Sequence, residues 1–385
     1  MPTNDAADPA PASRPHLGGI ESLRAYAACA IVIFHVIHLT GMPIPHSLEF
    51  MKWYFAFGVP LFFVVSAFSL AYGYEGRLGA KADVWKFYLR RFFRIAPLFY
   101  AMVAYSLLTA PNTASLGSRA GEIAANLTFV FNLSPGLVEG ITPASWSIGV
   151  EMVFYAIFPL ILMAVRGPVS AAIGTVAAIV AAVLFALRMD LLGDVPGSFI
   201  QHGFLFNLPY FGFGLLAYFT YRRLSPQLGA IALIAAVAGL LVLYGMAIWP
   251  TPLMPGRIGN TVFQALWGAP FALLCVGMAQ NPPAILSNRV TRFLGKISFS
   301  LYLTHPYVIS ALTGVGAYAH INSLPGGSGV RFPLAVLVTL AVLTPLSWGL
   351  YRLIEEPGMT LGRRIGRRAT PRLEAGPAAA DAGSA

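Results

Sequence analysis

The chain has 385 residues, of which 57% are hydrophobic and 10% charged, with a formal net charge of +10. A soluble domain carries roughly 25% charged residues, so this chain could not coat a water-soluble particle of its size and instead suits a body solvated by lipid. The surplus of basic residues is scattered in short clusters between apolar runs, which argues against nucleic-acid binding, and the two cysteines, Cys29 and Cys275, each sit in an apolar stretch and form neither a disulfide framework nor a metal site.

Residues 1–17 are polar and rich in Ala and Pro and read as a disordered N-terminal tail. A spanning helix needs ~20 mostly apolar residues. On that criterion about ten segments follow: 21–40, 52–73, 91–110, 147–166, 169–187, 200–221, 228–249, 261–279, 297–318 and 332–354. The stretch 122–133 is apolar but short and reads as an interfacial or re-entrant helix. The fold class is therefore all-α and polytopic, with a transmembrane domain over 18–358 and a basic, then flexible, C-terminal tail over 359–385. With the N-terminus inside, the inner loops hold Arg90, Arg91, Arg94, Arg222, Arg223, Arg289, Arg292 and Lys296, and the outer loops are poor in basic residues. That asymmetry puts both termini in the cytoplasm.

Ionisable residues inside a bilayer are costly, which makes each one a candidate for function. Glu21, Arg24, His35, His38, Glu151 and His305 fall in this class. Arg24 and His35 are eleven residues apart on the first helix, about three turns, so they share a face with an axial separation of ~16 Å. Arg24 then lies near the cytoplasmic end and His35 in the outer half; a snorkelling arginine and a structural interhelical histidine are the plain alternatives. His38 is one turn further out, at the surface. Glu151 lies about one turn into the fourth helix, at a depth like that of His35, and His35 is the natural partner for its carboxylate. Arg90, Arg91 and Arg94 open the third helix, where basic residues oppose the helix dipole, so a phosphorylated cosubstrate is one reason for them and an ordinary inner-loop cluster another. His305 precedes Pro306, which frees a backbone carbonyl within the ninth helix; a cavity-lining role and a structural one are both open. No P-loop, dinucleotide-binding fingerprint, nucleophile elbow or zinc motif occurs.

Several of these stretches together resemble the acyltransferase-3 family of integral-membrane O-acyltransferases. Ile20-Glu21-Ser22-Leu23-Arg24 through Phe34-His35 gives an Arg-x10-His pattern, followed by Gly58-Val59-Pro60-Leu61-Phe62-Phe63-Val64-Val65-Ser66. Arg91 to Arg94 supplies Arg-x-x-Arg, then come Trp146-Ser147 through Glu151 and Phe154-Tyr155, Leu294 to His305, and Ile354-Glu355-Glu356-Pro357. Ala25 and Ala67 stand where the family often has Gly. The resemblance runs from about residue 18 to 358 and implies the stand-alone type, without a fused esterase-like domain. It implies transfer of an acyl group, often acetyl, from cytoplasmic acyl-CoA as cosubstrate, with no tightly bound cofactor and no metal. The implied acceptor is a hydroxyl of a surface polysaccharide, lipid-linked glycan or other glycoside. A bacterial cytoplasmic membrane is the expected location.

Hydroxyls are weak nucleophiles at neutral pH and histidine is the usual general base, so His35 is the expected catalytic base and Glu151 its orienting partner. Arg24, Arg91 and Arg94 are expected to bind the phosphates of acyl-CoA, and Trp146, Ser147, Tyr302 and His305 to support or line the cavity. A transporter or flippase of a glycolipid or small anionic solute is the alternative that helix count and intramembrane charges permit; paired broken helices in repeated halves, its usual mark, are not evident.

Overall fold

A computed structural model describes residues 14–109, 117, 119–193, 195–248 and 256–374. Among the described residues every expected span is largely helical, and no strand forms. The principal helices are α1 (Gly18–Thr40), α2 (Gly58–Tyr74), α3 (Lys81–Thr109), α4 (Trp146–Ala164), α5 (Pro168–Leu192), α6 (Phe204–Arg223), α7 (Gly229–Ile248), α8 (Gly268–Gln280), α9 (Ser298–Gly314), α10 (Gly327–Leu350) and α11 (Glu356–Glu374).

Eight helical stretches among the described residues are long and apolar enough to cross a membrane, fewer than the ten expected. The two that fall short, α6 and α9, occupy 200–221 and 297–318. Both are largely buried, as α2 is: α6 buries most of its length, and α9, only 17 residues long, buries Ser298, Ser300, Tyr302, Thr304 and His305. A helix surrounded by protein can carry polar groups that a lipid-facing helix cannot, and this lowers its hydropathy below that of a solitary span.

Lipid-facing helices show the opposite pattern to soluble ones. Along α5 the large residues Val169, Ile173, Val176, Val180 and Leu184 are exposed, whereas Ala171, Thr175, Ala178, Ala182 and Ala186 are buried. Both rows advance by three or four residues and so trace opposite faces of one helix. Small residues face the bundle because close backbone approach drives association in lipid, where tails are as apolar as Leu. The exposed row Ile231, Ile234, Val237 and Leu241 does the same on α7.

Close approach also fixes α1, the helix that carries Arg24 and His35. A Cβ at Gly19 would lie 1.9 Å from the Met278 carbonyl oxygen, and one at Gly295 would lie 1.9 Å from that of Glu21. The start of α1 is thus clamped between α8 and the short helix Arg289–Lys296.

Three expectations change. The third helix begins at Lys81, not near 91, because the stretch carrying Lys81, Asp83, Lys86 and Arg90 is helical but too charged to register as a span. Arg91 and Arg94 therefore lie ~15 Å inside α3, and the helix-dipole argument for their recruitment does not hold. The basic segment after residue 358 is not a free tail: α11 packs on α3, with Gly358 against Pro97 and Gly362 against Phe93. The flexible end expected beyond it, 375–385, lies outside the described residues, as do 1–13 of the N-terminal tail. Arg14, which is described, is held by the Tyr72 carbonyl, by Tyr218 at 3.0 Å and by Glu75 at 3.2 Å. The stretch 122–133 forms the short helix Ala120–Leu127 and a turn at Phe131–Leu133, as a non-spanning element should.

We expect Gly295→Ala to destabilise the protein by about 1–3 kcal/mol through overpacking, seen as a lowered Tm in detergent. Gly73→Ala, with open space around it, should leave Tm unchanged or slightly raised. Equal melting of the two variants would contradict the clamp.

Candidate active site within the helical bundle

A cavity opens between α1, α2, α3, α4 and α9. Arg24, Ser66, Ser69, Arg91, Arg94, Ser147, Glu151, Tyr155 and Tyr302 supply its polar wall, and Val59, Phe62, Phe63, Ile95, Ile148 and Phe299 its apolar one. The five expected residues Arg24, Arg91, Arg94, Ser147 and Tyr302 therefore meet Glu151 around one space.

The arginines come from two helices. Arg24 projects from α1 and donates from Nη2 to Ser69 Oγ at 3.0 Å. Arg91 and Arg94, three apart on α3, share a face. The Arg91 guanidinium lies 5.7 Å from the Tyr74 ring centre and 5.9 Å from that of Tyr155, within cation–π range; its buried Nε has no hydrogen-bond partner. Arg94 Nη1 reaches Met359 Sδ at 3.8 Å, so the start of α11 helps seat it.

Glu151 is the acidic residue on this wall. Its Oε1 accepts from Ser66 Oγ at 2.6 Å and from the Tyr155 hydroxyl, one turn along α4. Three guanidinium groups thus face one carboxylate. Unbalanced positive charge in a low-dielectric interior is costly, and an anionic group entering the cavity relieves it.

Further along, Ser147 Oγ donates to the Tyr302 hydroxyl at 2.7 Å, and that hydroxyl donates to the Ala144 carbonyl at 2.7 Å. One turn beyond Tyr302 on α9, His305 bonds the Tyr302 carbonyl through Nδ1 and His35 Nδ1 through Nε2 at 3.0 Å. His35 Nδ1 is also 3.0 Å from the Ile31 carbonyl oxygen of its own helix.

The expected His35–Glu151 pair is not formed: His35 is partnered by His305, and Glu151 by Ser66 and Tyr155. Counting along each helix gives their similar depth but not the direction each side chain faces. Trp146, His35 and His305 lie outside the cavity lining, the histidine pair standing one turn beyond Tyr302. Trp146 stacks on His202, rings 4.1 Å apart and 10° from parallel, and its carbonyl accepts from Asn132 at 3.3 Å. His202 in turn donates to Glu139 at 2.8 Å, a bond that holds the Glu139 carboxyl below the usual range. His38 is at the exposed end of α1, bonded only to its own helix at the Phe34 carbonyl.

Ser66, Ser69 and Tyr155 carry no role in the sequence reading, yet all three contact the charged groups. Two signals point to them: hydroxyls three residues apart on an otherwise apolar helix, and a tyrosine at i+4 from an intramembrane glutamate. Glu355 is a further buried acid, bonded by Ser300 with its second oxygen unpartnered.

The family model described as an acyltransferase domain matches residues 17–352. A protein of Acidianus two-tailed virus that carries an acetyltransferase name is 25% identical over 315 residues, 77% of this chain and 84% of its own. The peptidoglycan O-acetyltransferase OatA of Listeria monocytogenes is 24% identical over 338 residues, 79% of this chain; the match spans about half, 51%, of OatA. No solved structure matches. The cavity, its buried arginines and the helices that hold them all fall inside the matched region, and the chain belongs to the acyltransferase-3 family of integral-membrane O-acyltransferases.

Proposed function

We propose that this enzyme transfers an acyl group, with acetyl as the simplest case, from cytoplasmic acyl-CoA to a hydroxyl of a surface polysaccharide, lipid-linked glycan or other glycoside. The observation that carries the reading is the convergence of Arg24, Arg91 and Arg94 on one cavity with Glu151 as the facing carboxylate. Guanidinium groups suit phosphates, which they bind through charge-assisted and often bidentate hydrogen bonds, and the unpartnered Nε of Arg91 leaves a donor to fill. The name of the Listeria relative, a peptidoglycan O-acetyltransferase, supports a glycan acceptor. The basic residues Arg222 and Arg223 at the end of α6 support a cytoplasmic donor side, and a bacterial cytoplasmic membrane is the location this reading takes.

His35 is the general base of this reading. The acceptor hydroxyl gives its proton to His35 as its oxygen attacks the thioester carbonyl carbon. The oxygen–acyl bond forms, the carbon–sulfur bond breaks, and the departing CoA thiolate takes the proton from His35. Glu151, held by Ser66 and Tyr155, acts on the arginine wall: it keeps the guanidinium groups in place and partly balances them between turnovers. Ser147 and Tyr302 line the cavity, and in this reading they guide the acyl end toward the histidine pair one turn along α9.

Membranes containing the protein should move label from radioactive acetyl-CoA into glycan, and membranes without it should not; equal incorporation in both would remove the proposal. His35→Ala should lower transfer by about 10²–10⁴-fold, the usual weight of general base catalysis, while acetyl-CoA still binds. Arg91→Ala should instead weaken acetyl-CoA binding by roughly 10–100-fold, as loss of hydrogen bonds to a charged group does. Equal effects of the two changes on binding would contradict this division.

A further inference from the structure

Proline 306 removes a backbone N–H from the middle of α9. In an unbroken helix that N–H would bond the carbonyl four residues earlier, that of Tyr302. The freed carbonyl is taken by His305 Nδ1. A carbonyl oxygen only accepts, so Nδ1 of His305 carries the hydrogen, and the neutral ring then has a lone pair at Nε2. That lone pair meets His35 Nδ1 at 3.0 Å, and the Ile31 carbonyl oxygen meets the same atom at 3.0 Å. Both neighbours accept, so His35 Nδ1 also carries its hydrogen. The opposite tautomers would set the His305 Nδ1 lone pair against the Tyr302 oxygen and the His35 Nδ1 lone pair against the Ile31 oxygen.

We propose that His305 is a positioning residue that, anchored on the carbonyl freed by Pro306, holds His35 in the tautomer whose Nε2 is the free base. The proposal rests on His35 being the base of the acyl transfer above. The chain runs one way, from the Tyr302 carbonyl through two rings to a single basic nitrogen. When the acceptor's proton arrives at His35 Nε2, the imidazolium already has its Nδ1–H bonded to a neutral ring, which stabilises the positive charge without any movement of side chains. The proton leaves from the same nitrogen to the CoA thiolate, so neither His305 nor the carbonyl changes protonation over the cycle. The arrangement explains why two histidines meet inside a bundle with no acid between them. An orienting group needs to be an acceptor at this position, and the neutral Nε2 of a ring tethered at Nδ1 is one.

The test uses the full-length protein, labelled with 15N-histidine, in lipid nanodiscs. Magic-angle-spinning NMR distinguishes the two neutral tautomers by the shifts of their ring nitrogens, and His35→Ala and His305→Phe assign the signals. Both residues should show protonated Nδ1 and unprotonated Nε2, and His35 should lose that single tautomer in His305→Phe. With 14C-acetyl-CoA as donor and a de-O-acetylated surface glycan as acceptor, His305→Phe should lower kcat by roughly 100-fold or more, since a mis-set tautomer disables a general base. Its KM for acetyl-CoA should stay within a few-fold. His305→Gln, which offers a side-chain oxygen near the position of Nε2, should recover part of kcat. A protonated Nε2 on His35 in the unmodified protein, or full kcat in His305→Phe, would overturn the proposal. The tautomer is read without turnover, so it decides the histidine pair even where no label is transferred, a result that would instead remove the acyl-CoA reading.

Discussion

Water solvates a charge wherever it sits on a soluble protein, and lipid does not. That difference governs this molecule. A chain with one charged residue in ten has kept arginines, a glutamate and histidines in the interior of an apolar bundle, and each is handled by a specific neighbour. Arg24 has Ser69, Arg91 lies by the rings of Tyr74 and Tyr155, Glu151 has Ser66 and Tyr155, and His35 has His305. None of these partners is an opposite charge in direct contact. Hydroxyls, ring faces and a second histidine support the charged groups without neutralising them, which leaves the arginine wall able to receive an anion.

The helices are arranged to keep those neighbours in register. Lipid supplies no hydrophobic drive between helices, so small residues and close backbone contacts hold the bundle. The alanine row of α5 and the contacts at Gly19 and Gly295 are the clearest cases. The clamp on α1 bears directly on the chemistry, because Arg24 and His35 belong to that one helix. A shift of α1 by a fraction of an ångström would move Arg24 and His35, the proposed base, together, relative to the α3 arginines and to His305. Proline 306 makes a comparable contribution on α9. By removing one helical hydrogen bond it supplies the carbonyl on which the histidine pair is built.

Much of this was legible in the sequence. Composition alone implies a lipid-solvated body, apolar runs locate the spanning helices, and the cavity's Arg24 and Glu151 stand out as intramembrane ionisable residues, with Arg91 and Arg94 in a basic cluster at an expected helix end. What escaped has a common cause. Length and hydropathy report depth along a helix and not which neighbour a side chain faces, so Glu151 and His35 were paired by depth although they point to different helices. The same measures discount amphipathic helix, so the first turns of α3 and most of α11 look like loop and tail in the sequence. Ser66, Ser69 and Tyr155 are chemically modest residues whose importance comes only from what they touch. The polar residues buried along α9 lower its hydropathy, and that helix supplies Tyr302 to the cavity and His305 to the histidine pair.

In the proposed reaction one acyl-CoA molecule spans two places, its phosphates on the arginines of the cavity and its acyl end at the histidine pair one turn beyond Tyr302. The most direct measurement is a cryo-electron microscopy structure in nanodiscs with a non-transferable thioether analogue of acetyl-CoA. Phosphate density should contact Arg91 and Arg94, with the pantetheine arm running along Ser147 and Tyr302 toward His35. Phosphates bound away from these arginines, or an arm directed away from His35, would contradict it.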